Sequence, residues 1–143
     1  MYKSLIAVLV VVFSLAACAL GPTTQQTQAV PVKGTPGVGV VYLVRSNPDL
    51  SYLPATITLD GQLVATTYAG TYLRMEVPAG RHRLSGYGID SGAINLDVQA
   101  DRVYFVHQTV AGSWRSPSSM MSFFRLVDEQ RARAMMVGAT PAG

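Results

Sequence analysis

The chain reads as an all-β protein, an antiparallel β-sandwich carrying one short C-terminal helix, with a leader and a tether in front of it. Three observations carry that reading. Short apolar-alternating runs follow one another at near-regular spacing from about residue 38 onward, the pattern of sandwiches and barrels. Turn signals separate them, Asp60-Gly61 and Pro78-Ala79-Gly80 above all. The first pair tolerates the positive φ that tight hairpin turns need, and the second combines a preset proline φ with a glycine free to turn left-handed. Only Asp128–Met136 (DEQRARAMM) has a helical pattern.

At 143 residues the chain fits one domain with appendages. Met1-Tyr2-Lys3 supplies a short positive region, and Leu5–Phe13 (LIAVLVVVF) is an apolar run of nine residues. A membrane-spanning helix needs about 20, so this run has the length of a signal-peptide core. Leu15-Ala16-Ala17-Cys18 then resembles the bacterial lipobox, in which the cysteine is acylated and becomes the first residue after cleavage at 1–17. Cys18 is the single cysteine of the chain, so the resemblance also accounts for a lone thiol in an exported protein. Two or three acyl chains on Cys18 would anchor the protein firmly in a lipid bilayer, because one chain alone binds marginally. Ala19, not aspartate, follows it. By analogy with lipoprotein sorting in Gram-negative cells, that favours the outer membrane, facing the periplasm.

Residues 18–37 are rich in Gly, Pro, Thr, Gln and Ala with little to bury, and read as the acylated cysteine followed by a flexible tether. The sandwich is expected over 38–136 and a flexible tail over 137–143. Val38–Val44 (VGVVYLV) is apolar on both faces, as in a strand covered on both sides. Ala55–Leu59 and Leu63–Thr67 form a hairpin about Asp60-Gly61. A three-residue turn with Gly61 left-handed sets Ile57 opposite Leu63 and is favoured for its more uniform apolar face. Thr71–Val77 alternates, with Leu73, Met75 and Val77 on one side and Tyr72, Arg74 and Glu76 on the other. After the Pro78 turn, His82 and Leu84 share a face while Arg81 and Arg83 point outward. Ala93–Val98, Arg102–Val110 and Met121–Val127 complete the strands, with a loop at Gly112–Ser119 carrying Trp114. In the helix, acids precede arginines in accord with the dipole, Glu129 and Arg133 form an i, i+4 pair, and Ala132, Met135 and Met136 make a docking stripe.

The succession Leu59-Asp60-Gly61, Tyr72, Val77-Pro78-Ala79-Gly80-Arg81-His82 and Val103-Tyr104-Phe105-Val106 resembles a family of small bacterial lipoproteins with a domain of unknown function. It is also similar to the wider group of PEGA-like and transthyretin-like sandwiches. The resemblance spans about residues 38 to 130 and rests on turn chemistry. It implies an Ig-like or transthyretin-like fold and brings no catalytic residues.

Charge excludes one class of partner. Without residues 1–17 the chain loses Lys3, which leaves 10 basic and 8 acidic residues, a formal charge of +2 with the basic residues scattered. That is no footprint for nucleic acid. The two histidines, His82 and His107, have no Cys, Asp or Glu at zinc-ligand spacing, so neither a metal nor a cofactor is expected. Ile89-Asp90-Ser91-Gly92-Ala93 resembles the Asp-Ser/Thr-Gly-Ala signature of retroviral-type aspartic proteases. A second aspartate would have to come from a dimer, and the same tripeptide is an ordinary turn. No Gly-x-Ser-x-Gly elbow or phosphate-binding glycine loop occurs.

The expected protein is therefore a non-enzymatic cell-envelope lipoprotein, a membrane-tethered sandwich acting as an interaction or accessory module on an envelope protein or glycan. The alternatives are a small-molecule or glycan binder and, third, a protease acting through Asp90. Tyr87, Trp114 and Arg115, in loops, and His107 are the candidate binding residues, because amphipathic aromatics beside arginine mark partner surfaces.

Overall fold

The computed structural model describes residues 29–113 and 115–143. The leader, Cys18 and most of the tether lie outside them, as does Trp114. In chain order the elements are β1 (Gly39–Arg45), β2 (Ala55–Leu59), β3 (Gln62–Thr67), β4 (Thr71–Val77), β5 (Gly80–Gly86), β6 (Ala93–Val98), β7 (Val103–Ser113), β8 (Ser116–Val127), helix α1 (Glu129–Met136) and β9 (Thr140–Pro141). They form two sheets, a five-stranded one ordered β8-β7-β1-β4-β9 and a four-stranded one ordered β3-β2-β5-β6. The all-β sandwich with one short helix is the fold.

Strand β1 is apolar from Val40 to Val44 because both of its faces are covered. Val41 and Leu43 point between the sheets, where they pack with Ile57, Met75, Val77, Leu84 and Val106. Val40, Tyr42 and Val44 point to the outer side, onto Phe105 and the helix residues Ala132 and Met136. Tyr42 and Phe105 stack there at 5.6 Å between ring centroids. Asp128 caps the helix by accepting from the Arg131 amide at 2.8 Å, and Arg133 meets Glu129 at 2.7 Å. One stripe of a two-turn helix suffices to close this part of the sheet, since its two buried residues face a wall that is already apolar.

Several expectations need correction. The sandwich is not wholly antiparallel: β1 pairs with β7, and β4 with β9, in parallel. The turn at Pro78 does not join paired strands. It carries the chain from β4 in one sheet to β5 in the other, and a chain that leaves a sheet and returns by crossover can come back parallel. The Asp60-Gly61 turn has two residues, with Leu59 facing Gln62. Both turn residues have positive φ, 51° and 80°, as the mirror-image turn requires. A bulge then places Ile57 opposite Ala65 instead of Leu63, which leaves Leu63 and Val64 exposed on an edge strand.

The expected loop at 112–119 is the tip of a long hairpin, with Ser113 facing Ser116. Both ends of the domain also extend further than composition suggests. Val30 and Val32 pack on the outer core, and the Lys33 amide donates to the Tyr42 hydroxyl at 2.9 Å. Thr140 and Pro141 pair with Thr71 and Tyr72. A proline-rich stretch can be low in hydrophobicity and still dock when a sheet offers it an uncovered apolar face.

Candidate functional site

Two buried carboxylates from connecting loops organise one end of the sandwich. Asp49 lies beyond the end of β1, where Arg45 is fully buried. Arg45 donates through Nε to Asp49 Oδ2 at 2.6 Å and through its terminal nitrogens to the carbonyls of Thr67 and Ser51. Asp49 also accepts from the amides of Leu50 (2.8 Å) and Val110 (3.1 Å). A buried ion pair is tolerable when hydrogen bonds satisfy the remaining donors and acceptors, and here they fix the 46–54 connection against the sheet.

Asp90 does the equivalent on the other side. It accepts from the Ser122 amide at 2.7 Å, the Ser122 hydroxyl at 2.5 Å and the Gly92 amide at 3.0 Å. Val110 and Ser122 face one another across β7 and β8, so each amide of the pair donates to a loop carboxylate. Gly92 lies so close that a Cβ there would collide with the Ser122 carbonyl. The Asp90-Ser91-Gly92 segment thus covers the free edge of β8 at its middle, and the carboxylate that resembled a protease signature has both oxygens engaged. Behind it, Ser122 accepts from Gln108 Nε2 at 3.0 Å, and Gln108 Oε1 accepts from Thr67 at 2.8 Å. This polar chain links the sheets through the core. Among the described residues no buried side-chain polar atom lacks a partner.

The helix covers only part of the outer face of the five-stranded sheet. Beyond it, the outward residues of β7 and β8 are His107 opposite Arg125 and Thr109 opposite Phe123. With Leu50, held over them by the Asp49 loop, they line a recess of about 460 Å³. A second recess of about 250 Å³ shares Leu50, His107 and Thr109 and is closed by Ser46 and Pro48. Leu50 is 75% exposed and Phe123 53%, so two large apolar side chains face solvent across the groove. Burial pushes the His107 pKa down, and the Arg125 charge adds to this. The ring is therefore neutral at pH 7.

Ser46 Oγ lies 2.9 Å from His107 Nε2, the distance of a nucleophile–base pair. The third member of a triad is not supplied by Asp49, whose oxygens go to Arg45, Leu50 and Val110. The arrangement can hydrogen-bond a ligand, but among the described residues no carboxylate bonds to the imidazole to orient it as a base.

Of the residues expected to bind that are described, His107 alone lines the groove. Tyr87 is exposed in the β5–β6 connection, its amide donating to the Thr56 carbonyl, and Arg115 stands exposed at the β7–β8 hairpin tip. Trp114 is outside the described residues, as is the lipidation candidate Cys18. Leu50, Phe123 and Arg125 were not singled out by sequence reasoning. Phe123-Phe124 held the available signal, since adjacent strand residues face opposite ways and one phenylalanine had to point out.

His82 is structural. Its Nδ1–H donates to Asp60 Oδ2 at 2.7 Å and its Nε2–H to the Pro78 carbonyl at 2.9 Å, joining two turns. The Asp60 hydrogen bond raises the His82 pKa, and the reciprocal contact lowers that of Asp60. No group of three His, Cys, Asp or Glu residues arranged to hold a metal occurs among the described residues. None of their helices is long and apolar enough to cross a membrane. Comparison with family models, curated proteins and solved structures finds no match.

Proposed function

We propose that this chain is a non-enzymatic binding module of the bacterial cell envelope, held at a membrane by acylated Cys18 and recognising its ligand in the groove beside His107. The observation that carries the binding half is the uncovered patch of the five-stranded sheet. There a recess of about 460 Å³ brings together apolar walls, a hydroxyl, an imidazole and a guanidinium. Concave sites of that size, apolar with a few convergent polar groups, suit a small molecule better than a flat protein surface. The address rests on the leader and the lipobox-like Leu15–Cys18.

Binding is favoured over catalysis by how the ionisable groups are spent: Asp49 on Arg45, Asp90 on Ser122, His82 on Asp60. The test is to purify the chain from envelopes, denature it and identify released small molecules by mass spectrometry, beside a Thr109→Trp variant. Thr109 is an outward residue, so an uncharged indole there fills the groove without entering the core. A compound carried by the wild type and lost from the variant is expected. The same compounds from both proteins would refute the groove as the site.

A further inference from the structure

The groove's charge and shape narrow the class of ligand, given that it is the binding site. Its one cationic wall is Arg125, directly across the strand pair from His107. At His107 the Arg131 charge, from the first turn of α1, acts in the same sense as that of Arg125, and the Asp49 charge in the opposite sense. Among the described residues neither arginine has a carboxylate partner, in contrast to Arg45, Arg74, Arg81 and Arg133. The acid on the groove wall is Asp49, and Arg45 with two backbone amides already answers its charge. The recess therefore presents uncompensated positive charge at the Arg125 end. The opposite end, at Pro48 and Leu50, is apolar, and Phe123 stands beside the arginine with half its surface in water. Exposed apolar side chains gathered about a cation are stabilised by a ligand that covers the first and neutralises the second.

We propose that the groove takes a small organic anion bearing an apolar or aromatic arm, with its carboxylate or phosphate on Arg125 and its arm against Phe123 and Leu50. The hydroxyls of Thr109 and Ser46 and the neutral His107 ring supply hydrogen bonds without adding charge of either sign. Arginine suits both planar carboxylates and phosphates because its fork can donate two parallel hydrogen bonds.

The experiment uses residues 19–143, which include every described element, and three probes with one arm: 4-phenylbutyrate, 4-phenylbutyl phosphate and the uncharged 4-phenylbutanol. Amide NMR shifts are followed through each titration. At least one anion should shift the amides of Thr109, Phe123 and Arg125 with a Kd of about 1 mM or tighter, and bind about fivefold or more tightly than the alcohol. Which of the two binds identifies carboxylate or phosphate as the headgroup. Arg125→Gln should remove the preference for the anion, and Phe123→Ala should weaken all three probes. Equal affinity for the alcohol, shifts confined to other surfaces, or no saturable shift with any probe would overturn the proposal. A neutral compound released from wild type and lost from Thr109→Trp would overturn the anionic class while leaving the groove as the binding site, so the two readings fail separately.

Discussion

Removing the Asp90 carboxylate should destabilise the domain severely although Asp90 sits in a loop. The Asp90→Ala variant loses three hydrogen bonds, from Ser122 N, Ser122 Oγ and Gly92 N. The first two donors belong to a buried residue that is 2% exposed. Hydrogen bonds to a charged acceptor contribute about 1.5–3 kcal/mol each, and an orphaned buried donor costs about 1–3 kcal/mol. The Gly92 amide is only partly buried and can turn to water, and the variant no longer bears the cost of burying a carboxylate. A net loss of about 3 kcal/mol follows. For a domain of somewhat more than about 100 residues that corresponds to a fall in Tm of about 10–15 °C. Urea unfolding of residues 29–143 gives the free energy and calorimetry the Tm. Asp97→Ala is the control: Asp97 lies on neighbouring β6, but its pair with Arg81 is more than 80% exposed on both sides, so a change within about 0.5 kcal/mol is expected. Asp90→Ala should also self-associate, because it uncovers the middle of the β8 edge. A loss under about 1 kcal/mol, or one equal to the control, would refute the claim that this carboxylate holds the edge.

The His82 bridge predicts a pH dependence. Only the imidazolium donates to both Asp60 and Pro78, and the His82 pKa is raised; its contribution is full below about 6.5 and is lost as pH rises through the raised value. On the acid side the lowered Asp60 pKa keeps the contact above about pH 4 and loses it as pH falls through the lowered value. In His82→Ala the decline in stability from pH 6 to 9 should flatten; an unchanged slope in urea titrations would remove His82 as its source. Gly61→Val should cost about 1–3 kcal/mol, from positive φ alone, since a Cβ there meets nothing within 4 Å; chemical unfolding measures it. Starting the domain at residue 38 removes Val30 and Val32 from the outer core and should cost about 2–3 kcal/mol, against no change if that segment were a free tether. Cys18→Ser should abolish metabolic lipid labelling and detergent partitioning, and retained labelling would place the acylation elsewhere.

What could be read from the sequence was local. The alternation of Thr71–Val77 assigned Tyr72 to Val77 to their observed faces, with Met75 and Val77 inward and Glu76 outward. The Asp128 start and Met136 end of the helical pattern match the capped helix. These features depend on periods of two and 3.6 residues and on capping chemistry, all contained within about ten residues of chain. The hairpin register depended on more. Preferring the more uniform apolar face presumed that β3 would be half buried, whereas it is an edge strand where Leu63 and Val64 face solvent. Nothing within the hairpin says which of its strands will have a second neighbour.

The groove was hidden for the same reason, at larger scale. Its walls come from residues 46–50, 107–109 and 123–125. They meet because β7 returns parallel to β1, which sets the end of β1 and its Asp49 loop beside His107. A preference for parallel return over antiparallel is decided by the crossover through the other sheet, and no short window of sequence encodes it. Arg45 shows the same limit. By composition it is one more scattered surface cation, yet it is buried because Asp49 four residues on can meet it and the carbonyls of Thr67 and Ser51 complete its donors. Arg125, identical in kind, stays at the surface without such a set. The residues that mark the candidate site therefore differ from the structural ones in what the fold leaves them to bind. Arg45 has its carboxylate within the chain, whereas Arg125 has none among the described residues and is left to bind an anion outside them.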